Sequence, residues 1–227
     1  MRFNPDRDVF ICGGPQATWR LFLTLLMCFV FVPIAAGSVS VTRDDGDGAD
    51  SYIRSGSYAS SNYGSGTSVV SKYGNTDYGR KFYLRFDLSN ANGPYDAVTL
   101  KLDPASIDDS CTLNVYSLDD GVSGDEAPGS GGWGESTITW SNAPANNTSS
   151  PDGMGANATL LGTISQVASP SGLTTFTDSD LLDFLNDDDN DLVTIMITSQ
   201  DVVWTSYWSK EYTPSGGSQG DSAAILE

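Results

Sequence analysis

Phe82, Leu84, Phe86 and Leu88 alternate with Tyr83, Arg85 and Asp87, the two-residue period of a strand that lays one face on a core. Val98, Leu100 and Leu102 alternate with Thr99, Lys101 and Asp103 in the same way, Leu113 and Val115 follow, and Val193, Ile195 and Ile197 repeat the pattern late in the chain. Further strands are predicted over Tyr52 to Arg54, Ser68 to Tyr73, Cys111 to Leu118, Leu160 to Ile164, Val203 to Ser209 and Ala223 to Leu226. Turn-rich runs of Gly, Ser, Asn and Asp separate them. One helical segment interrupts the plan: Thr177-Asp178-Ser179-Asp180 supplies capping chemistry and first-turn acids ahead of Leu181, Leu182, Phe184 and Leu185. Trp133 to Pro144, W-G-E-S-T-I-T-W-S-N-A-P, reads as a loop, a short strand over Thr137 to Trp140, and a stop at Ser141-Asn142 and Pro144. The predicted fold class is all-β, an antiparallel β-sandwich or jelly roll with one short helix.

Residues 1–37 stand apart from this pattern. Arg2, Arg7 and Arg20 precede an apolar run from Leu21 to Val32, which Pro33 and the small residues Ala35, Ala36 and Gly37 close. This is the form of a secretory signal peptide, and the run is well short of the ~20 apolar residues that span a bilayer. The expectation is cleavage after Ala36 or Gly37, leaving residues 38–227 as one secreted, extracellular domain with no membrane anchor. Two of the three cysteines leave with the leader. Cys111 then has no intrachain partner and reads as a small buried hydrophobe.

Composition narrows the chemistry. The 227 residues include no histidine, which removes His-based nucleophile activation and His-ligated metal sites. Removing Arg2, Arg7, Arg20, Asp6 and Asp8 with the leader leaves 8 of 11 basic and 27 of 29 acidic residues. Six of those cations, Arg54, Lys72, Arg80, Lys81, Arg85 and Lys101, fall between residues 54 and 101, opposed only by Asp77, Asp87 and Asp96. So acidic a chain is a poor nucleic-acid partner, since phosphate binding needs an extended basic surface.

Four motifs stand in order along the chain. They are A-D-S-Y-I-R-S-G-S-Y-A-S-S-N-Y-G from Ala49, R-K-F-Y-L-R-F-D-L from Arg80, the Trp133 to Pro144 segment, and Y-W-S-K-E from Tyr207. Together they resemble the signature of the DNRLRE-type domains, carbohydrate-binding module family 96. The long acidic run Asp187 to Asp191 and the Gly- and Ser-rich tail before Ala223 depart from that pattern. The resemblance implies noncatalytic sugar binding. In the third motif Glu135 is read as a hydrogen-bond acceptor that fixes the loop.

Sugar rings present apolar faces that stack on aromatic side chains, and carboxylated sugars require Arg or Lys. Tyr83, Arg85 and Lys81 share one strand face, with Arg80, Lys72 and Lys101 on segments able to neighbour it; Arg54, Trp204 and Lys210 complete the candidate carbohydrate-binding set. The alternative is that these residues solvate an outer face or pair with Asp87 and Asp103. Trp133 and Trp204 are candidate exposed platforms, and Trp140 reads as core. Asp45, Asp47 and Asp50 offer hard oxygen ligands for one structural calcium, an ion that related sandwich modules hold, whereas Asp187, Asp189 and Asp191 read as a solvated turn.

The expected partner is an acidic, uronate-type polysaccharide, bound by a monomer or by a component of an extracellular assembly. An adhesive or matrix protein built on the same sandwich is the alternative. A polysaccharide-degrading enzyme ranks behind both, because a pair of acids at glycosidase spacing arises by chance among so many carboxylates.

Overall fold

A computed structural model describes residues 39–40, 46–74, 77–91, 93–120 and 133–227. The predicted leader, Asp45 and the loop 121–132 lie outside the described residues. In chain order the elements are β1 (Val39–Ser40), β2 (Ala49–Arg54), β3 (Ser68–Ser71), β4 (Arg80–Asp87), β5 (Leu100–Leu102), β6 (Pro104–Ile107), β7 (Cys111–Leu118), β8 (Ala158–Gln166), β9 (Thr174–Phe176), α1 (Ser179–Asp187), β10 (Leu192–Ser199), β11 (Thr205–Trp208) and β12 (Ile225–Leu226). A 3-10 turn, Gly56–Tyr58, follows β2. Among the described residues, no helix is long and apolar enough to cross a membrane.

The strands form three antiparallel sheets, ordered β2-β4-β10-β7-β8, β1-β12-β5-β9 and β3-β11-β6. The alternation in the sequence explains how they stack. Phe82, Leu84 and Phe86 of β4 and Val193, Ile195 and Ile197 of β10 project from one face of the five-stranded sheet. They share a buried cluster with Leu100, Leu102 and Leu226 of the second sheet and with Val69, Ile107 and Tyr207 of the third. Leu181 and Leu185 close the cluster from α1, whose N-cap Asp178 accepts a hydrogen bond from Asp180 N. This is the predicted sandwich with its one short helix.

The opposite face of the five-stranded sheet is covered as well. Ala49, Ile53, Tyr83 and Met196 are buried there against Trp133, Ile138 and Trp140. The predicted strand over Thr137 to Trp140 is instead a succession of turns. Gly134 O accepts both Thr137 N and Ile138 N, while the Asn142 side chain accepts Thr139 N and donates to Thr137 O. Those local bonds satisfy the backbone groups a ladder would have used, and Ile138 and Trp140 are driven onto the sheet as a lid.

Candidate functional site

β4 is the strand on which the candidate residues converge, and neither of its faces meets solvent: Lys81 and Tyr83 are 0% exposed and Arg85 5%. Lys81 Nζ donates to Asn146 Oδ1 (2.7 Å), Gly153 O (2.6 Å) and Asn147 O (3.3 Å), three acceptors for the three donors of an ammonium, and lies 4.6 Å from the Trp140 ring centre. Burial pulls its pKa down to about 7, partly opposed by Asp152. Tyr83 donates its hydroxyl to Pro144 O at 3.0 Å. Arg85 donates from Nε to Asp47 O and from Nη1 to Trp133 O, each at 2.7 Å, and stacks 5.0 Å from the Trp133 ring centre. The three residues share a face, as their spacing requires, but that face fastens the 133–154 segment to the sheet. The expected open surface on this strand is therefore corrected to a covered one. Trp133, expected as a candidate platform, is buried there too, with Nε1 donating to Thr194 Oγ1.

A second, partly buried knot joins the first, third and fourth motifs. Glu135 Oε1 accepts Asp50 N at 3.0 Å, Asp50 Oδ2 accepts Lys210 N at 2.8 Å, and Lys210 Nζ lies 2.9 Å from both Glu135 Oε2 and Glu211 Oε1. Burial holds the Asp50 carboxyl well above the usual range, reinforced by Glu211 and Glu135. For Lys210, burial favours the neutral amine, but the hydrogen bonds it donates to the two glutamates outweigh burial and raise the pKa. Asp50, Glu135 and Glu211 present oxygens within 4.8 Å of one another, close enough for a metal, and the Lys210 ammonium is the cation among them. The structure thus groups Asp50 with the two glutamates. Asp47 is engaged through its backbone, donating N to Asp87 Oδ2 and accepting Arg85 Nε.

Away from these knots runs a row of cations that reaches the surface through Arg54 and Lys72, with Arg80 buried between them at 7% exposure. Arg54 stands directly opposite Arg80 in the β2–β4 register, and Arg80 bridges to Lys72 at the end of β3. Thr205 pairs with Ser71, so one further step sets Trp204 opposite Lys72. Directly opposed residues of antiparallel strands project to the same side, and the rings confirm it: the Arg80 guanidinium lies 4.8 Å from the Trp204 ring centre. Arg54 rests 3.6 Å from the centre of the Tyr58 ring and 5.8 Å from that of Tyr78. Tyr58 and Tyr78 are 43% and 53% exposed. Behind them Tyr52 and Tyr63 stack at 4.3 Å.

The two guanidiniums are incompletely satisfied. Arg80 Nη1 donates to Tyr78 O, but Nε of Arg54 and Nε of Arg80, both buried atoms, have no hydrogen-bond partner. Neither side chain is in an ion pair among the described residues. Burial and then the Arg54 charge lower the Arg80 pKa, although a guanidinium stays protonated. Such a pair, flanked by aromatic faces, concentrates positive charge beside apolar ring surfaces.

Of the remaining candidates, Lys101 lies on β5 in an ion pair with Glu227 and outside this row. Lys72 and Trp204 are partly exposed within it. A cavity of about 280 Å³ between α1 and the β7–β8 edge is lined by Asp119, Asp120, Asp180, Asp183 and Asp187, a setting that repels anions. Tyr58 and Tyr78 are the site residues that strand periodicity misses. Their signal is local: Gly56 adopts φ +70°, where a Cβ would lie 2.5 Å from Asp77, and the chain turns so that Tyr58 folds back over Arg54.

The model of carbohydrate-binding module family 96 matches residues 46–160, 115 of the 227 residues, and so takes in β2, β4, the row residues Arg54, Lys72 and Arg80, and the covering segment. No curated protein matches the chain.

Proposed function

Because this chain belongs to carbohydrate-binding module family 96, we propose that it is a secreted, noncatalytic module that holds an acidic, uronate-type polysaccharide at the Arg54–Arg80 row. The observation that carries the reading is a contrast in charge. The whole sequence has a formal net charge of −18, yet among the described basic residues Arg80, Lys81, Arg85 and Lys210 are buried and Lys101 is paired with Glu227. That leaves Arg54 and Lys72 as the partly exposed cations without a carboxylate partner in any ion pair, and both belong to the row that contains Arg80 and Trp204. Where an acidic protein meets an acidic polymer, contact is favourable only where cations are gathered.

In this reading the sugar carboxylate lies against the paired guanidiniums, and the apolar ring faces lie against Tyr58, Tyr78 and Trp204. Lys72 adds a point charge. Lys81, Tyr83 and Arg85 act one step back by fixing the strand that carries Arg80. The leader of residues 1–37 directs export, and the absence of histidine accords with binding without turnover.

Affinity electrophoresis through gels containing a uronate polymer or a neutral glucan tests the reading. Retardation by the uronate gel alone is expected, with no reducing ends or unsaturated products released. Equal retardation in both gels would set aside the acidic ligand, and turnover that survives repurification would set aside the noncatalytic role.

A further inference from the structure

Trp208 and Tyr212 form the tightest aromatic pair among the described residues, ring centres 3.6 Å apart and planes within 10°. Neither is buried, and neither belongs to the buried clusters. Along β11 side chains alternate: Tyr207 enters the core, whereas Ser206 and Trp208 project to the other face. Trp204 has the same parity, and its carbonyl accepts Asp108 N, so the pairing of β11 with its neighbour continues through it. Trp204 and Trp208 therefore lie on one face, about 13 Å apart at the ~3.3 Å rise of a strand.

Small side chains lie between them on that face. Ser206 and its cross-strand partner Val70 occupy that face; both are small and buried, and Ser206 Oγ donates to Ser106 O. Ser68 lies opposite Trp208. No long side chain from these positions stands between the cation row and the Trp208–Tyr212 pair. The charge setting changes along the way: Arg54, Arg80 and Lys72 cluster at the Trp204 end, whereas Lys210, nearest in sequence to Trp208, is already held by Glu135 and Glu211.

We propose that the Trp208–Tyr212 pair is a second, uncharged subsite, which stacks on the apolar face of a sugar further along the same polymer. The proposal rests on the acidic-polysaccharide reading above. The sugar chain runs along β11, held by charge at the arginine row and by ring contact at the distal pair. At that spacing a disaccharide engages the arginine row alone, and longer oligomers engage both.

Calorimetric titration of the wild type with uronate di-, tetra- and hexasaccharides tests this, together with Tyr212→Ala and Trp208→Phe and with melting curves as fold controls. The wild type is expected to bind the hexasaccharide about three- to tenfold more tightly than the disaccharide, the scale of one aromatic contact. Tyr212→Ala is expected to lose that gain without weakening disaccharide binding, and Trp208→Phe to keep most of it. A gain with length that is unchanged in Tyr212→Ala, or no gain in the wild type, would overturn the distal subsite alone. Failure of the wild type to bind any uronate oligomer would overturn the acidic-ligand reading and the subsite with it.

Discussion

Arg54 and Arg80 face each other across β2 and β4, and each lays its guanidinium on a different aromatic surface, Arg54 on Tyr58 and Arg80 on Trp204. Two like charges in register destabilise a sheet unless something compensates. The rings supply part of that compensation, and no ion pair among the described residues supplies the rest. Under the proposed function an anionic ligand would complete it, and binding at this row would then be coupled to stability.

Lys81 is expected to act on stability. Lys81→Met leaves Asn146 Oδ1, Asn147 O and Gly153 O without their donor, at a cost of about 1–3 kcal/mol for a buried acceptor left unpaired. The folded pKa of about 7 lies below the ordinary 10.5, so the unfolded chain holds the extra proton between those values and wild-type stability rises with pH across that window. Denaturant titrations of both proteins at pH 7 and 9.5 should show the gap widening at the higher pH. A constant gap would contradict the burial argument.

Lys210→Met is expected to be more damaging at neutral than at acid pH. It leaves Asp50, Glu135 and Glu211 facing one another without a cation, a repulsion that protonation relieves. Lys210→Arg should retain much of the wild-type melting temperature. If Lys210→Met melts like the wild type at pH 7, the knot does not hold the motifs together.

Asp188 provides the opposite sign. Burial, Asp120 and Asp191 raise its carboxyl from 3.8 to about 6, so the folded state holds the extra proton between those values and stability falls as pH rises through them. Asp188→Asn should therefore raise the melting temperature at pH 7.5 and change it little at pH 4. Equal effects at both pH values would contradict this.

Legibility in the sequence followed the range of the interactions. β7 spans Cys111–Leu118 as its alternation indicated, and Asp178 caps α1 because capping is decided within three residues. β6 carried no signal, since it begins with Pro104 and lies at a sheet edge where a missing N–H is tolerated. Alternation correctly grouped Lys81, Tyr83 and Arg85. Whether that face met water depended on Trp133, Pro144 and Asn146, about fifty to sixty-five residues away. The same limit hid the surface row: Arg54, Arg80, Lys72 and Trp204 are brought abreast only by cross-strand register.

The central claim is that the paired guanidiniums hold the sugar carboxylate. Its most direct test is NMR of the arginine Nε–Hε resonances during titration with a uronate tetrasaccharide, in the wild type and in Arg54→Ala. The Arg54 and Arg80 signals should shift together and saturate at one Kd, and Arg54→Ala should weaken binding by about 1–3 kcal/mol, the scale of a charge-assisted hydrogen bond, while melting close to the wild type. Saturable binding with both signals unmoved, or wild-type affinity in Arg54→Ala, would contradict the account.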